Sequence, residues 1–352
     1  MSRIEAVWEN CGPGIDAFMV CSRQNRYYLS AFTGSAGCLL IDGAHRFLIT
    51  DSRYTEQARA EATLFEVVES RRVWDKAAEL ARSQGWKRIG FEAEHVTVHD
   101  YLRLLAQYRD LEWVPLTGIV ERERRIKDDV ERAHLQRAAQ IADRALSGVL
   151  DHLHPGVSER EFQLALDHAM EEEGAEGVSF PTIVASGPRG SLPHAKPTER
   201  RFEDDDWVTI DFGAVYQGYH SDETVTIPLT NRARSGKLQI IYDIVLQAQK
   251  AGIKALRAGV FASQVDEIVR DVIIEAGFGE YFGHGTGHGV GLDVHEDPLL
   301  GPNPPNDVKL DEGMVVTIEP GIYLPQVGGV RLEDMLLVTA EGSTRLSAWN
   351  KE

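Results

Sequence analysis

The sequence predicts a two-domain chain, with an α/β domain over residues 1–124 and an α+β domain over residues 125–352. Three observations carry this. A length of 352 residues is about twice that of an ordinary domain. In the first third, short apolar runs alternate with helical patterns, the signature of a layered unit with a partly parallel sheet. Past the densely charged stretch 121–129 (ERERRIKDD), strands and long amphipathic helices come in runs instead.

In the first domain, strand patterns fall at 15–20, 37–41, 46–50, 64–68 and 88–91, with helical patterns over 75–84 and 98–108. Little here looks chemical. Asp51 and Arg53 read as a surface ion pair, Tyr54 as a packed ring, and His95 and His99 as solvated histidines. In the second domain a long helix follows Asp129, with Ala138, Ile141, Ala142, Ala145 and Val149 on one stripe. Ser158 and Glu161 form a capping box that opens a helix ending near Gly174. A helix over 238–256 buries Ile241, Ile244, Val245, Ala248 and Ala251. Another, capped at 263–266, turns Val265, Ile268, Val269, Val272 and Ile273 inward and stops at Gly277. Strands are expected at 207–213, 218–227, 314–318 and 330–338.

Composition excludes several functions. Lys+Arg 37 against Asp+Glu 55 gives a net charge of −18. That balance opposes general nucleic-acid binding and attachment to anionic membranes. The three cysteines, Cys11, Cys21 and Cys38, are odd in number and include no CxxC pair, so neither a disulfide framework nor a thiolate zinc site is expected. The opening MSRIEAVWENCGPG has no apolar core of signal-peptide length, and no apolar run approaches the length of a membrane span. A cytoplasmic protein is the expectation.

The second domain carries the chemistry. In the strand at 207–213, Asp211 shares a face with Thr209, opposite Val208, Ile210 and Phe212. A carboxylate in so apolar a run is buried and needs a partner. In the following strand Asp222 alternates with His220, Thr224 and Thr226, and a hairpin brings Asp211 and Asp222 to one face. Next, GHGTGHGVG over 283–291 places glycine at every second position. It matches neither GxGxxG nor a Walker loop. If extended, its glycine face admits close backbone approach, while His284, Thr286 and His288 project oppositely. His295 and Glu296 follow. Glu319 closes the apolar strand 314–318, and Arg331 and Glu333 share a face of the last strand. Oxygen-rich ligands with one imidazole and no thiolate suit Mn²⁺, Co²⁺, Fe²⁺ or Zn²⁺ in a catalytic site better than a structural zinc. The four carboxylates balance two divalent ions. Such a pair, about 3.5–4 Å apart and sharing a hydroxide, is a hydrolase site.

The order DFG, GYHSDET, HGTGHGVG…HE, IEPG and VRLED resembles the pita-bread metallopeptidases, a family that includes aminopeptidase P and prolidase. The first domain, through NRYYL at 25–29, FTGS at 32–35 and DSRYTEQA at 51–58, resembles the creatinase-type N-terminal domain of the proline peptidases. The resemblance implies a pita-bread catalytic domain and two divalent metal ions, Mn²⁺ first and Co²⁺, Zn²⁺ or Fe²⁺ as alternatives. Asp211, Asp222, His288, Glu319 and Glu333 are the implied ligands. His194 and His295 are implied catalytic residues, and Glu319 is an implied proton shuttle. His284 and Arg331 are implied to bind substrate. The implied reaction is hydroxide attack on the carbonyl preceding proline at a peptide N-terminus, in a homodimer. Two positions depart from the family pattern. Val225 stands where SDxTRT has arginine. Leu299 stands just after HExP, where some prolidases hold a dipeptide carboxylate with arginine. The second departure tilts the expectation from dipeptidase toward an aminopeptidase accepting longer peptides. The rivals from other classes are a metal-free hydrolase like creatinase and a non-catalytic binding module on the same fold. The complete ligand set opposes both.

Overall fold

The computed structural model describes residues 2–351 except 232, 234, 235, 305 and 306. It divides into two compact units, Met1–Arg124 and Arg125–Glu352.

The first unit is built on a six-stranded sheet. Its order in space is Glu66–Glu69, Arg46–Thr50, Cys38–Ile41, Ala17–Val20, Arg88–Glu92 and Glu112–Leu116. The three middle strands form antiparallel pairs, and the flanking strands add in parallel. Central strands covered on both faces read as unbroken apolar runs, as in Ala17-Phe18-Met19-Val20, all of it buried. Ala77, Ala78 and Ala81 of the helix Val73–Gln84 pack with Met19, Ile89 and Trp113. The edge strand starts at Glu66 rather than 64. A turn from Ala62 to Phe65 (N to O, 2.9 Å) buries Phe65 and leaves Leu64 exposed. The helix Arg23–Ser30 escapes pattern reading because Asn25, Arg26 and Ser30 occupy its buried face.

In the second unit, the helix Asp129–Val149 opens on a capping box formed by Asp128 and Glu131, and the helix Glu159–Glu172 on one formed by Ser158 and Glu161. Their stripes, Ile141, Ala142, Leu146, Phe162, Leu166 and Met170, share a core with Val208, Ile210 and Phe212. Behind that lies an antiparallel sheet of Ile183–Ser186, Trp207–Phe212 and Glu223–Pro228. A second sheet runs Glu296–Leu300, Gly287–Gly289, Val315–Ile318, Asp334–Val338 and Ser343–Arg345. Against it pack Ala262 and Val265 of the helix Ala262–Glu275, beside Val316, Ile318 and Leu336. Ile241, Val245 and Ala248 of the helix Gly236–Ala255, with Val269 and Ile273, pack instead on Ile322, Leu324 and Val330 of a two-stranded ribbon, Gly321–Leu324 and Gly328–Arg331.

Three expectations need correction. The helix begins at Ala262, with the backbone N–H of Phe261 donating to Gln264 Oε1 at 3.1 Å. Ser263 is therefore no cap, and its hydroxyl donates to Asp307 at 2.7 Å. Ile268 is 40% exposed, on the outer face of the same helix. The expected strands 218–227 and 330–338 are each broken. The first splits at Ser221-Asp222, and the second at Leu332-Glu333, where the chain passes from one sheet to another. Among the described residues no helix is long and apolar enough to cross a membrane. Cys11, Cys21 and Cys38 are free thiols.

Candidate metal centre

The strand breaks position the acidic side chains. Asp222 lies just before Glu223–Pro228, Glu319 just after Val315–Ile318, and Glu333 just before Asp334–Val338. At each break the side chain is freed from the alternation of a regular ladder. Asp211 sits inside its strand, opposite Thr224. A single antiparallel bridge joins Thr224 to Glu333, with the Glu333 N–H donating to the Thr224 carbonyl at 3.0 Å. Between Asp211 and Asp222 the hairpin turns at Gln217-Gly218, both at positive φ. Its two arms close tightly because a Cβ at Gly213 would overlap the Ser221 carbonyl.

The alternate glycines admit close backbone approach from both sides. A Cβ at Gly287 would overlap the Thr317 carbonyl, and one at Gly289 the Asp297 carbonyl. His288 is thereby seated between two strands. Its N–H donates to Thr317 Oγ1 at 3.1 Å, and its Nδ1 donates to the Gly289 carbonyl at 3.0 Å. That hydrogen bond fixes the tautomer, so the lone pair sits on Nε2. Nε2 faces Asp222 Oδ2 at 3.5 Å and Glu319 Oε1 at 3.4 Å.

Three overlapping groups offer donor atoms all within 4.8 Å of one another: Asp222, His288 and His295; His288, Glu319 and Glu333; Asp211, Asp222 and Glu333. The five expected ligands thus meet in one cluster, joined by His295. Its ring lies 4.3 Å from that of His288.

Charge in this cluster is poorly balanced by the protein alone. Burial, and then the charges of Glu333, Asp211 and Glu319, hold the Asp222 carboxyl well above its usual range. Burial and the Glu333 charge do the same to Glu319. Glu333 is pushed up to about 7 by burial and then by Asp211. His288 is pushed down to about 4 by burial and then by His295. Asp211 Oδ1 and Glu333 Oε1 are buried without a hydrogen-bond partner. Orphaned carboxylate oxygens beside an imidazole lone pair fit divalent cations, which supply the missing positive charge.

Arg331 is the cation already in place. Nη2 donates to Asp211 Oδ2 at 2.6 Å, Nη1 to Tyr323 Oη at 2.9 Å and to the Pro193 carbonyl at 3.2 Å, and Nε to Thr224 Oγ1 at 3.1 Å. An Arg331–Glu333 ion pair is not formed. Burial works against the guanidinium charge, but Tyr323 and Asp211 raise its pKa well above the ordinary value. His284 donates from Nδ1 to the Gly285 carbonyl at 2.7 Å, so its Nε2 accepts from the Tyr323 hydroxyl at 2.9 Å. Burial pushes His284 down to about 4.

His194, His284, His295 and Arg331 all line one cavity of about 1150 Å³ with the acidic cluster at its floor. His220 is not part of the cluster; its Nδ1 lies 2.9 Å from Ser179 Oγ. Sequence reasoning missed Tyr323, which links Arg331 to His284. It also left Thr224 without a role, although Thr224 Oγ1 donates to Glu333 Oε2 at 2.7 Å. The signal for Thr224 was its alternation with Asp222; for Tyr323 there was none.

Residues 133–340 match metallopeptidase family M24, and residues 11–126 match the creatinase/prolidase N-terminal domain. The chain belongs to the M24 metallopeptidases. Relatives of this family match it along nearly its whole length. An Xaa-Pro dipeptidase of Pyrococcus horikoshii is 37% identical over 96% of this chain and 94% of its own. The structure of an Xaa-Pro dipeptidase from Bacillus anthracis superimposes with a TM-score of 0.94 at 42% identity, covering 99% of this chain and 97% of that one. An X-Pro aminopeptidase structure from Thermotoga maritima superimposes with a TM-score of 0.89 at 36% identity, covering 96% and 97%. The family's pita-bread domain is the α+β unit described above, and its N-terminal domain the six-stranded unit.

Proposed function

We propose that this chain is a dinuclear-metal exopeptidase that hydrolyses the Xaa-Pro bond at the N-terminus of peptides. The observation that carries the reading is the convergence of four carboxylates and one imidazole lone pair, with two orphaned oxygens, on the floor of an open cavity. Asp211, Asp222, His288, Glu319 and Glu333 would hold two divalent cations. Mn²⁺ is the first choice, with Co²⁺, Zn²⁺ and Fe²⁺ as alternatives. When bound, the cations supply Lewis acidity and make water a nucleophile at neutral pH.

The chain's own residues do the rest. Glu319, whose proton affinity is raised, takes a proton from the attacking water and delivers it to the departing proline nitrogen. His194 and His295 stand on the cavity wall and donate to the carbonyl oxygen as charge develops there. His284, fixed by Tyr323, faces the proline ring. Arg331 holds Asp211 in one rotamer and so fixes the cluster's geometry. Proline offers no N–H to an acceptor, so its subsite needs shape more than hydrogen bonds.

A second reading, restriction to Xaa-Pro dipeptides, is favoured by the similarity to the Xaa-Pro dipeptidases of Pyrococcus horikoshii and Bacillus anthracis. The open cavity and Leu299 on its wall favour longer peptides. We further propose a homodimer and a cytoplasmic location, the latter in keeping with three unpaired thiols. Protein reconstituted with Mn²⁺ tests the reading when given Xaa-Pro, Xaa-Pro-Yaa and Xaa-Ala-Yaa peptides. Release of Xaa from the first two and not the third is expected. Cleavage of none, or cleavage of all three alike, would remove the proposal.

A further inference from the structure

The cavity wall carries two non-imidazole cations, Arg331 and Lys196. All of Arg331's donor nitrogens are engaged by Asp211, Tyr323, Thr224 and the Pro193 carbonyl. Lys196 is exposed, and among the described residues no carboxylate pairs with its ammonium. It is thus the positive group still available to a ligand.

Its backbone is firmly held. Pro193 and Pro197 bracket the segment, which lines the cavity throughout. The Pro193 carbonyl accepts from Arg331 at 3.2 Å, and the Lys196 carbonyl accepts from Arg189 Nη2 at 2.6 Å. Just beyond, the N–H and hydroxyl of Thr198 donate to Glu159 Oε2 at 3.0 and 2.7 Å. Glu159 is fully buried and also accepts from Ser186 and Arg189. His194, Ala195 and Lys196 all line the cavity, and of the three His194 and Lys196 are exposed. The chain turns at His194, with the Ala195 N–H donating to the Leu192 carbonyl at 3.2 Å, and residues two apart are separated by at most about 7 Å whatever their conformation. The α-carboxylate of a proline is three bonds from the nitrogen released by cleavage. A lysine two residues past a histidine at the scissile carbonyl is therefore within side-chain reach of that carboxylate.

Resting on the peptidase reading above, we infer that Lys196 receives the free α-carboxylate of proline when proline ends the substrate. Xaa-Pro dipeptides then bind more tightly than the same dipeptides with an amidated C-terminus, although the open cavity admits both. The pairing is ionic and involves no chemistry on lysine. Longer peptides, whose proline carbonyl is an amide, gain nothing from it.

The test compares an Xaa-Pro dipeptide with its C-terminal amide, using the Mn²⁺-loaded full chain, its Lys196→Met variant and its Lys196→Arg variant. Wild type is expected to show a KM about tenfold lower for the acid than for the amide, the scale of one charge-assisted hydrogen bond. Lys196→Met raises KM for the acid about tenfold and leaves the amide's KM and the metal content unchanged. Lys196→Arg restores most of the preference. Equal KM values for acid and amide in wild type would overturn the inference, as would a Lys196→Met variant that shifts both substrates alike or neither. Wild type inert on both substrates would bring down the peptidase reading itself, a failure visible before any variant is made.

Discussion

His288 shows how much one hydrogen bond decides. Because Nδ1 donates to the Gly289 carbonyl, the other nitrogen presents a lone pair to Asp222 and Glu319. Without a cation those three groups have no reason to meet. For Asp222→Asn, hydrolysis should fall by at least about 100-fold and metal analysis should show loss of one ion, a cost no smaller than that of removing an outer-shell partner. His295 offers a ring nitrogen within 4.8 Å of donor atoms of Asp222 and His288 but is exposed. In His295→Ala, kcat should drop about 10²–10³-fold, as for loss of an oxyanion donor, with metal content retained. Metal loss in that variant would make His295 a ligand instead. Glu333 supplies a pH prediction for the metal-free protein. Its folded pKa of about 7 lies above its ordinary 4.5, so the folded state binds the extra proton. The contribution of Glu333 to stability is therefore fully present below about 4.5 and is lost as pH rises through about 7, by on the order of 3 kcal/mol. His284 and His288, both pushed down to about 4, act in the opposite direction over this range. The check is therefore the difference between EDTA-treated wild type and Glu333→Gln in urea unfolding from pH 4.5 to 7.5: that difference should decline as pH rises, and one that stays flat or grows would contradict it.

Among the elements, the glycine-alternating strand is the most constrained. Gly287→Ala would drive a Cβ into the Thr317 carbonyl, and backbone cannot yield as a side-chain tip does. A loss of about 3 kcal/mol or more is expected in thermal unfolding, against less than about 0.5 kcal/mol for Gly283→Ala, which has open space around it. Equal effects would mean that the strand is looser than described. This strand was legible beforehand because alternate glycines are a poor choice for any strand not closely approached. Asp211 and Glu319 were legible for a related reason: each stands in or closes an apolar run, whereas Asp222 was reached through its alternation with His220, Thr224 and Thr226. Their strand breaks were not, since a break at Leu332-Glu333 depends on which sheet each side joins, and Thr224 reaches Glu333 from over 100 positions away. The same limit applies to Tyr323, which acquires its place only when Arg331 and His284 converge on it. Ile268 failed differently. A wide apolar stripe does not say which of its edges the neighbouring helix leaves uncovered.

At the scale of the molecule, a chain with net charge −18 concentrates four carboxylates in one buried floor and leaves them for cations to neutralise. Ligands that bind only the folded state stabilise it by mass action. At 100 times Kd each ion contributes about 2.7 kcal/mol. Chelation should therefore lower the midpoint for unfolding of the Arg125–Glu352 unit by roughly 10 °C or more. The two units and their boundary follow from differences visible in composition and periodicity. The polar buried face of Arg23–Ser30 remained hidden because Arg26 is satisfied by the carbonyls of Gly34 and Gly37, partners that only the folded loop provides. Counting metal on protein purified without chelator, then dialysed against Mn²⁺, tests the whole account most directly. Close to two ions per chain in wild type, falling to one or fewer in Asp222→Asn, is the expected result. A chain that holds none, or a count unchanged by that substitution, would contradict it.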